Sequence, residues 1–387
     1  MRRGAGEGRA FPATALRGQP GREMPRNRFL PRELPPRRAA AMRQPSLRQG
    51  PAPMTTLDIL GIGNAIVDVL ARADDAVLVR HGMAKGGMAL IGPDQAETIY
   101  ADMGPGIESS GGSAANTCAA AAALGAKVGY LGKVADDALG QVFRHDITAA
   151  GVHFPTAPLV GGAPTARCLI LVTPDGQRTM NTFLGACVTF GEADLDAAAI
   201  VGAQVTYLEG YLFDPPAAQA AFRAAARIAH AAGRKVAITL SDPFCVERHR
   251  DAFRAFVREE ADILFANEAE IRALYHAASF EEAAAAARRD VGLAALTRSE
   301  QGSVILAGEA THAIAAAPTT VVDTTGAGDA YAAGFLAALT AGHPLPECGR
   351  WASVAAAEAI SHFGARPQAD LKALVAGGPK GVAAAPG

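Results

Sequence analysis

Short apolar segments alternate with longer, alanine-rich amphipathic segments from Thr56 almost to the C-terminus, and this alternation constrains the fold most strongly. Apolar runs of this length are typical of buried strands, and the amphipathic runs are typical of helices. The alternating order predicts an α/β fold, a three-layer α/β/α sandwich whose mostly parallel sheet carries helices on both faces. The strand candidates are Leu57–Gly63, Val128–Leu131, Cys168–Val172, Val205–Leu208, Val236–Leu240, Ile263–Phe265, Leu293–Thr297 and Val304–Leu306. The helix candidates are Ala114–Leu124, Asp137–Ala150, Pro216–Ala232, Arg248–Arg258, Glu268–His276, Phe280–Arg289, Ala327–Thr340 and Glu347–His362.

Two stretches interrupt the alternation. Residues 72–92 and 153–185 contain strand-like pieces and turn signals, such as Thr173-Pro-Asp-Gly176, but no clear helix. We expect them to pair as a small second sheet that forms a lid. Because ligands of parallel sheets bind at the carboxyl ends of the strands, the chemistry is expected in the loops after the strands.

The first 53 residues differ from the rest, with 12 Arg, 3 Glu and nine Pro and little apolar periodicity. Such a segment cannot bury enough surface to offset its ordering entropy, so residues 1–53 are predicted to be a disordered extension. A transit peptide is one alternative, and translation from Met54 is the better supported one. Residues 54–375 then form one domain, and residues 376–387 form a flexible tail.

Composition excludes several classes of protein. The formal net charge of −2 gives no reason to expect a nucleic-acid partner. No apolar stretch approaches the roughly 18 residues of a membrane span. Five cysteines without metal-ligand spacing fit a reducing cytoplasm. Composition does not distinguish a monomer from a homodimer.

The segment Asp323-Thr-Thr-Gly-Ala-Gly-Asp329 directly precedes a helical run. Glycines there allow a ligand close to the backbone, and the amides and dipole of a helix N-terminus attract an anion. We therefore expect an anion hole for a phosphoryl group, with Asp329 near the group that accepts it. The alternative is a glycine turn followed by an Asp that favours the helix start. No Walker A sequence is present.

Three further segments carry polar groups after predicted strands or at helix starts. Asn267-x-x-Glu270 offers hard oxygen ligands of the kind Mg²⁺ prefers, although a helix cap with an exposed Glu is the alternative. Gly61–Asp68 lacks the third glycine of a dinucleotide loop, because Ile66 stands there. Its amide and carboxylate suit vicinal hydroxyls. Gly111-Gly-Ser-Ala-Ala-Asn116 is a glycine turn that opens a helix.

Asp323–Asp329 and Gly111–Asn116 resemble the two signatures of the ribokinase/PfkB carbohydrate kinases. Gly61–Asp68 and Ser113 are similar to the adenosine kinase branch of that family. The resemblance spans roughly Thr56 to Leu374. It implies a ribokinase-like fold and an ATP-dependent kinase that uses Mg²⁺ and phosphorylates a hydroxymethyl group.

The resemblance also implies roles for individual residues. Asp329 would be the base, and the amides of Gly326, Ala327 and Gly328 would form the anion hole. A free Asp is far too weak a base to ionise an alcohol beforehand, so the proton is expected to move late. Glu270 and Asn267 would order Mg²⁺ through water. ATP would contact Asn267, Thr297, Gly302 and Thr325.

On the acceptor side, Asp68 would hold the ribose 2′- and 3′-hydroxyls, with Asn64 nearby. Gly112, Ser113 and Asn116 would also contact the acceptor. Arg178 would reach over the phosphates from the lid, and Leu212 would form an apolar wall of the adenine pocket. The alternatives are a turn-stabilising pair for Asn64 and Asp68, a surface Arg for Arg178, and a core residue for Leu212.

Two features of the resemblance concern the nucleotide end. The family's T-x-G-x-x-G loop reads Thr297-Arg-Ser-Glu-Gln-Gly302 here, so Ser299 replaces a Gly. The sequence therefore does not determine the conformation of this loop. Asp323, Thr325 and the region 361–366 resemble a monovalent-cation site, which K⁺ would occupy.

These features predict phosphorylation of a nucleoside 5′-hydroxyl, with adenosine converted to AMP in purine salvage. A kinase of the same family acting on ribose, fructose or a related sugar is the alternative. A non-catalytic nucleoside sensor is a third possibility, but such a protein would be expected to lose Asp329 or the glycines. The partners are thus ATP and a small-molecule acceptor.

Overall fold

The structure, a computed structural model, describes residues 56–377, which form two β-sheets with helices packed around them. The strands are β1 (Leu57–Ile62), β2 (Ile66–Arg72), β3 (Met88–Leu90), β4 (Gly106–Gly111), β5 (Val128–Leu131), β6 (Val152–His153), β7 (Ala166–Val172), β8 (Arg178–Phe183), β9 (Ala203–Glu209), β10 (Lys235–Thr239), β11 (Ile263–Asn267), β12 (Leu293–Thr297), β13 (Ser303–Ala307) and β14 (Ala310–Ile314). The α-helices are α1 (Asp75–Arg80), α2 (Pro93–Asp102), α3 (Ser113–Ala123), α4 (Ala138–Ala149), α5 (Ala197–Gly202), α6 (Pro216–Ala231), α7 (Pro243–Glu259), α8 (Glu268–Tyr275), α9 (Phe280–Asp290), α10 (Ala327–Thr340), α11 (Leu345–Ala359) and α12 (Leu371–Ala376). The predicted extension over residues 1–53, and most of the predicted tail, lie outside the described residues.

The larger sheet has the order β14-β13-β12-β11-β10-β9-β1-β5-β6 within the described range. Its strands are parallel from β12 through to β6, and β13 and β14 add an antiparallel edge. Successive side chains of β1 enter different cores: Ile59 packs with α3 and α10, whereas Leu60 packs with α6 and α7. A strand buried on both faces requires helices on both sides, so the predicted three-layer arrangement is confirmed.

The smaller sheet has the order β3-β8-β7-β2-β4 and confirms the predicted lid sheet. The prediction of which strands form this sheet was incomplete. Strand β4 and nearly all of β2 lie outside residues 72–92 and 153–185, the two stretches proposed to form it. Only three residues, Gly63-Asn-Ala65, separate β1 from β2, so the chain passes from the larger sheet to the lid sheet in one short connection. Two further details were wrong: α1 is a helix inside residues 72–92, and β6 pairs with β5 of the larger sheet.

Each segment predicted to be helical contains a helix, but several of these helices begin or end at other residues than predicted. Helix α7 begins five residues before the predicted Arg248, because Asp242 caps it and Pro243 occupies its first turn. Its backbone departs from helical geometry at His249, where the helix kinks. No helix within residues 56–377 is long and apolar enough to cross a membrane. All five cysteines are buried and free.

Candidate active site

A cleft of about 2200 Å³ separates the lid sheet from the carboxyl ends of the parallel strands. The last residues of three neighbouring strands line it, namely Thr239 of β10, Asn267 of β11 and Thr297 of β12. Asp68 lines the same cleft from lid strand β2. The site therefore lies where the end of a parallel sheet is expected to bind a ligand.

Helix α10 presents its N-terminus to this cleft. Gly326 caps it with φ of 78°, a left-handed conformation that favours glycine. A Cβ added to Gly328 would meet no atom within 4 Å, so a ligand can approach this backbone from open space. The Ala327 amide makes a long, 3.3 Å hydrogen bond to the Thr324 carbonyl. The first turn of α10 thus has the amides, the dipole and the space that a phosphoryl group needs.

Asp329 lies in the first turn of α10 and is held by helix α3. The Ser113 hydroxyl donates to Asp329 Oδ1 at 2.6 Å, and the Asn116 amide donates to Oδ2 at 3.1 Å. Burial raises the pKa of Asp329, while these two hydrogen bonds and the charge of Arg366 oppose the rise. A carboxylate oriented in this way can accept a proton from a hydroxyl group beside the α10 amides.

Asp68 does not lie at the end of the first strand, as the sequence suggested, but inside lid strand β2. It pairs with Ser109 of β4 and Cys168 of β7, and its carboxylate faces the cleft. Burial raises the pKa of Asp68 to about 6, against the lowering effect of Arg366 and Arg178. Asp68 is therefore largely ionised at neutral pH and can accept hydrogen bonds from two hydroxyls.

Gly112 joins lid strand β4 to helix α3 in a positive-φ conformation that favours glycine. Its φ is 95°, and an added Cβ would lie 2.1 Å from the Asn64 carbonyl oxygen. A side chain here would force apart the two turns that carry Asn64 and Ser113. The glycine is thus required by the close approach of two protein segments, in addition to any contact with an acceptor.

Glu209, at the end of β9, is a site residue that the sequence did not reveal. It is 1% exposed, yet it accepts hydrogen bonds from the Asn64 side chain at 2.8 Å and the Ala114 amide at 2.8 Å. Burial raises the pKa of Glu209 to about 7. Its carboxylate links the turn after β1 to the start of α3. Asn64 itself lines the cleft, and its Oδ1 is buried without a protein partner.

Arg178 begins lid strand β8 and directly contacts the segment that precedes α10. Its guanidinium forms an ion pair with Asp323, and both side chains are about one-tenth exposed. Asp323 also accepts hydrogen bonds from the Thr325 hydroxyl at 2.7 Å and the Gly364 amide at 3.1 Å. The lid is thereby attached to the loop before α10. A phosphate entering this corner would meet the Arg178 guanidinium.

Asn267 and Glu270 form a reciprocal cap at the start of α8. The Asn267 side chain accepts from the Glu270 amide at 2.9 Å, and Glu270 accepts from the Asn267 amide at 2.9 Å. Glu270 is nevertheless only 5% exposed, and burial together with the charges of Asp242 and Asp329 raises its pKa to about 7. A buried carboxylate in a field of other carboxylates suits a site that receives a cation.

Mg²⁺ fits this side of the cleft as a water-bound ion. No group of three or more His, Cys, Asp or Glu side chains in residues 56–377 is placed to hold a metal directly. Glu270 and Asn267 offer hard oxygens of the kind that Mg²⁺ prefers, and they would hold the ion through its waters. An ion held there would supply positive charge to neutralise phosphate oxygens.

The loop after β12 keeps a glycine-like shape despite its serine. Ser299 has φ of 50°, and Gly302 has φ of 82°. Thr297, Ser299 and Gly302 all line the cleft. The departure from the family pattern therefore changes the residue but leaves the left-handed backbone in place.

Leu212 does not line the cleft. The prediction that it forms an apolar wall of the adenine pocket is therefore corrected. Its side chain is fully buried in the core beside Phe213. The preceding Tyr211 is 39% exposed and lines the cleft instead. The turn Gly210–Phe213 directs these neighbouring side chains to opposite sides, which the apolar sequence pattern does not reveal.

Comparison with known proteins identifies the family. Residues 106–371, more than half of the chain, match the model of the pfkB family carbohydrate kinases. The chain belongs to the pfkB family. It is therefore an ATP-dependent kinase that phosphorylates a hydroxyl group of a nucleoside or sugar, and kinases of this family use ATP with Mg²⁺.

Several pfkB relatives are similar over most of their length. An adenosine kinase from Sinorhizobium meliloti is 52% identical, with a TM-score of 0.76, over 82% of this chain and 98% of that one. A probable sugar kinase from Rhizobium etli is 48% identical, with a TM-score of 0.77, over 83% and 98%. An ATP-dependent ribose-1-phosphate kinase from Halopiger xanaduensis is 31% identical over 274 residues, 69% of this chain and 86% of the relative. The ribokinase-like fold with its lid is confirmed.

Proposed function

We propose that this kinase transfers the γ-phosphoryl group of ATP to the 5′-hydroxyl of adenosine, forming AMP and ADP. The observation that carries the proposal is the pair of hydrogen bonds from Ser113 and Asn116 to Asp329. Through them, the acceptor-side helix α3 and the phosphate-side helix α10 face one reaction centre. Similarity to the Sinorhizobium meliloti adenosine kinase favours a nucleoside as the acceptor.

In this proposal Asp68 accepts hydrogen bonds from the two ribose hydroxyls, which places the 5′-hydroxyl near Asp329. Asp329 takes the proton of that hydroxyl while the hydroxyl oxygen forms its bond to the γ-phosphorus of ATP. The amides of Gly326, Ala327 and Gly328 stabilise the negative charge of the transferring group. Positioning supplies most of the rate, because a carboxylate is too weak to ionise an alcohol in advance.

On the phosphate side, Arg178 exchanges its Asp323 partner for phosphate oxygens, which its planar fork matches well. Glu270 and Asn267 hold the waters of Mg²⁺, and Thr297, Gly302 and Thr325 border the nucleotide. We place this activity in the cytoplasm, on a monomer or homodimer. Dependence on K⁺ remains a prediction, and replacing K⁺ with choline in the assay tests it directly.

A sugar acceptor is the second candidate, because the Rhizobium etli relative is a probable sugar kinase and the Halopiger xanaduensis relative is a ribose-1-phosphate kinase. Ser113 and the segment Gly61–Asp68 favour the nucleoside, because both resemble the adenosine kinase branch of the family. A sugar would satisfy Asp68 but leave the Tyr211 side of the cleft without an aromatic partner. The two candidates share the phosphate-side residues and differ only in the acceptor.

The test is ADP release by the purified protein with ATP and Mg²⁺ and a panel of acceptors. The panel contains adenosine, inosine, guanosine, cytidine, ribose, ribose 1-phosphate and fructose. Selective turnover of adenosine is the expected result. Turnover of a sugar without any nucleoside would reject the nucleoside assignment and keep the kinase chemistry.

A further inference from the structure

Arg366 lines the cleft but has no role in the reaction proposed above. It lies in the segment between α11 and α12, far in sequence from its partners. Its Nη2 donates to the Ser110 carbonyl at 2.6 Å and the Ser110 hydroxyl at 2.7 Å. Its Nη1 donates to the Ala115 carbonyl at 3.2 Å. One guanidinium therefore satisfies acceptors on two separate elements.

Those two elements, which only Gly112 separates in the chain, carry two parts of the acceptor site. Ser110 belongs to lid strand β4, which pairs with the β2 strand of Asp68. Ala115 lies in the first turn of α3, between Ser113 and Asn116, which hold Asp329. Arg366 thus fixes the lid strand relative to the helix that orients Asp329. Five donors in a rigid fork suit this task, whereas a Lys ammonium is a point charge on a flexible stem.

The charge of Arg366 acts on the same two carboxylates. Burial raises the pKa of both Asp68 and Asp329, and the Arg366 cation lowers both. Asp68 must be ionised to accept hydrogen bonds from two hydroxyls at once, and Asp329 must be ionised to take a proton. A cation that acts on both carboxylates favours the charged forms that both roles require.

We propose that Arg366 is a positioning residue that holds lid strand β4 on the first turn of α3 and keeps Asp68 and Asp329 charged for the acceptor. The proposal rests on the roles given to Asp68 and Asp329 in the proposed function. It adds a group from the C-terminal segment to the two carboxylates of the acceptor site.

Other titratable groups also surround Arg366. Asp146 also attracts Arg366, and it accepts from the Ser110 amide at 2.8 Å. Burial raises the pKa of Cys118 to about 12 and that of Tyr130 well above its usual value, so both stay neutral near pH 7. Glu209 and Glu270 have pKa values of about 7, raised mainly by burial. They contribute to the wild-type profile.

The experiment measures kcat/KM against pH at saturating ATP, with the acceptor that wild-type protein phosphorylates. Arg366→Gln and Arg366→Met remove the charge, and Arg366→Lys keeps the charge without the fork. Arg144→Gln is the matched control, because Arg144 donates to the carbonyls of Phe154 and Thr156 outside the cleft. Thermal unfolding of each variant reports whether it is folded.

The neutral variants should move the acidic limb of the kcat/KM profile to higher pH, because the Arg366 cation lowers the pKa of Asp68 and of Asp329. On that limb kcat/KM should be lower by roughly tenfold. Arg366→Lys should unfold at a lower temperature than the wild type. The acidic limb of its kcat/KM profile should lie at the same pH as in the wild type. Arg144→Gln should lose stability and leave the limb in place. Two neutral variants are used so that the test does not depend on one of them folding.

An unmoved limb in a folded neutral variant would overturn the proposal. A limb that moves as far in Arg366→Lys as in Arg366→Gln would overturn the role of the charge. Wild-type protein that phosphorylates no member of the panel would instead contradict the proposed function. The two failures are therefore distinguishable.

Discussion

The Ser113 hydroxyl donates a 2.6 Å hydrogen bond to the Asp329 carboxylate across 216 residues of sequence. This contact joins the glycine turn at the start of α3 to the glycine turn at the start of α10. Each turn alone is a helix start with a polar residue. In the proposed function, the two turns together bring an acceptor-binding surface and an anion-binding helix end to one carboxylate, as transfer of a phosphoryl group to a hydroxyl requires.

Asp329→Asn should lower kcat by about 10²–10⁴-fold with little change in the KM of either substrate, because it removes a general base but keeps the shape of the side chain. Steady-state ADP release measures this. Asp137→Asn is a suitable control, since Asp137 accepts from two backbone amides outside the cleft. Turnover close to wild type in Asp329→Asn would remove Asp329 as the base.

Asp68→Ala should raise the KM for the acceptor by about 10- to 100-fold, since a hydrogen bond to a charged group is worth about 1.5–3 kcal/mol. The KM for ATP should stay the same, because Asp68 lies on the lid strand above the acceptor side. Initial rates with each substrate varied in turn separate the two constants. Equal changes in both would indicate a general loss of structure.

Glu209→Gln should change how stability depends on pH. The pKa of Glu209 is about 7 in the folded protein against an ordinary value of 4.5, so the folded state binds more protons between these values. The stability linked to this proton is fully present below the ordinary pKa and is lost as pH rises through the folded-state pKa.

The Gln variant does not titrate, so its free energy of unfolding should fall less than that of the wild type over this range, by up to roughly 3 kcal/mol. Chemical denaturation at several pH values measures the difference. The exposed Glu309→Gln serves as the control. Parallel pH dependence of wild type and Glu209→Gln would contradict the raised pKa.

Ser299→Gly should stabilise the protein by about 1 kcal/mol, because a left-handed conformation costs roughly 1–2 kcal/mol for a residue with a Cβ. The gain is partly offset by the greater freedom of glycine in the unfolded chain. Thermal unfolding checks the sign. Destabilisation would show that the serine side chain contributes more than its backbone strain costs.

The sequence predicted the parts of the fold and site that have a local pattern. The glycine turn before α10 predicted an anion hole with Asp329 beside it, and the alternation of strands and helices predicted the sandwich. These two features follow from periodicity and turn chemistry over a few residues. The roles of Ser113 and Asn116, and the expectation that they lie close to Asp329, followed only from the resemblance to a family.

Glu209 and Arg366 could not be predicted in the same way. Glu209 is one carboxylate at the end of an apolar strand, and Arg366 lies in an irregular segment near the C-terminus. Their roles depend on partners in other elements, such as Ala114 and Ser110, which only the tertiary structure brings near. The single polar residue at the end of β9 was the one available signal.

The most direct measurement is identification of the product formed from adenosine, ATP and Mg²⁺, with 5′-deoxyadenosine as the matched control. The account predicts AMP phosphorylated at the 5′ position, with equal release of ADP. It predicts no phosphorylation of 5′-deoxyadenosine, which lacks the accepting hydroxyl. Phosphate on a 2′- or 3′-hydroxyl, or no product from adenosine alongside rapid turnover of a sugar, would contradict it.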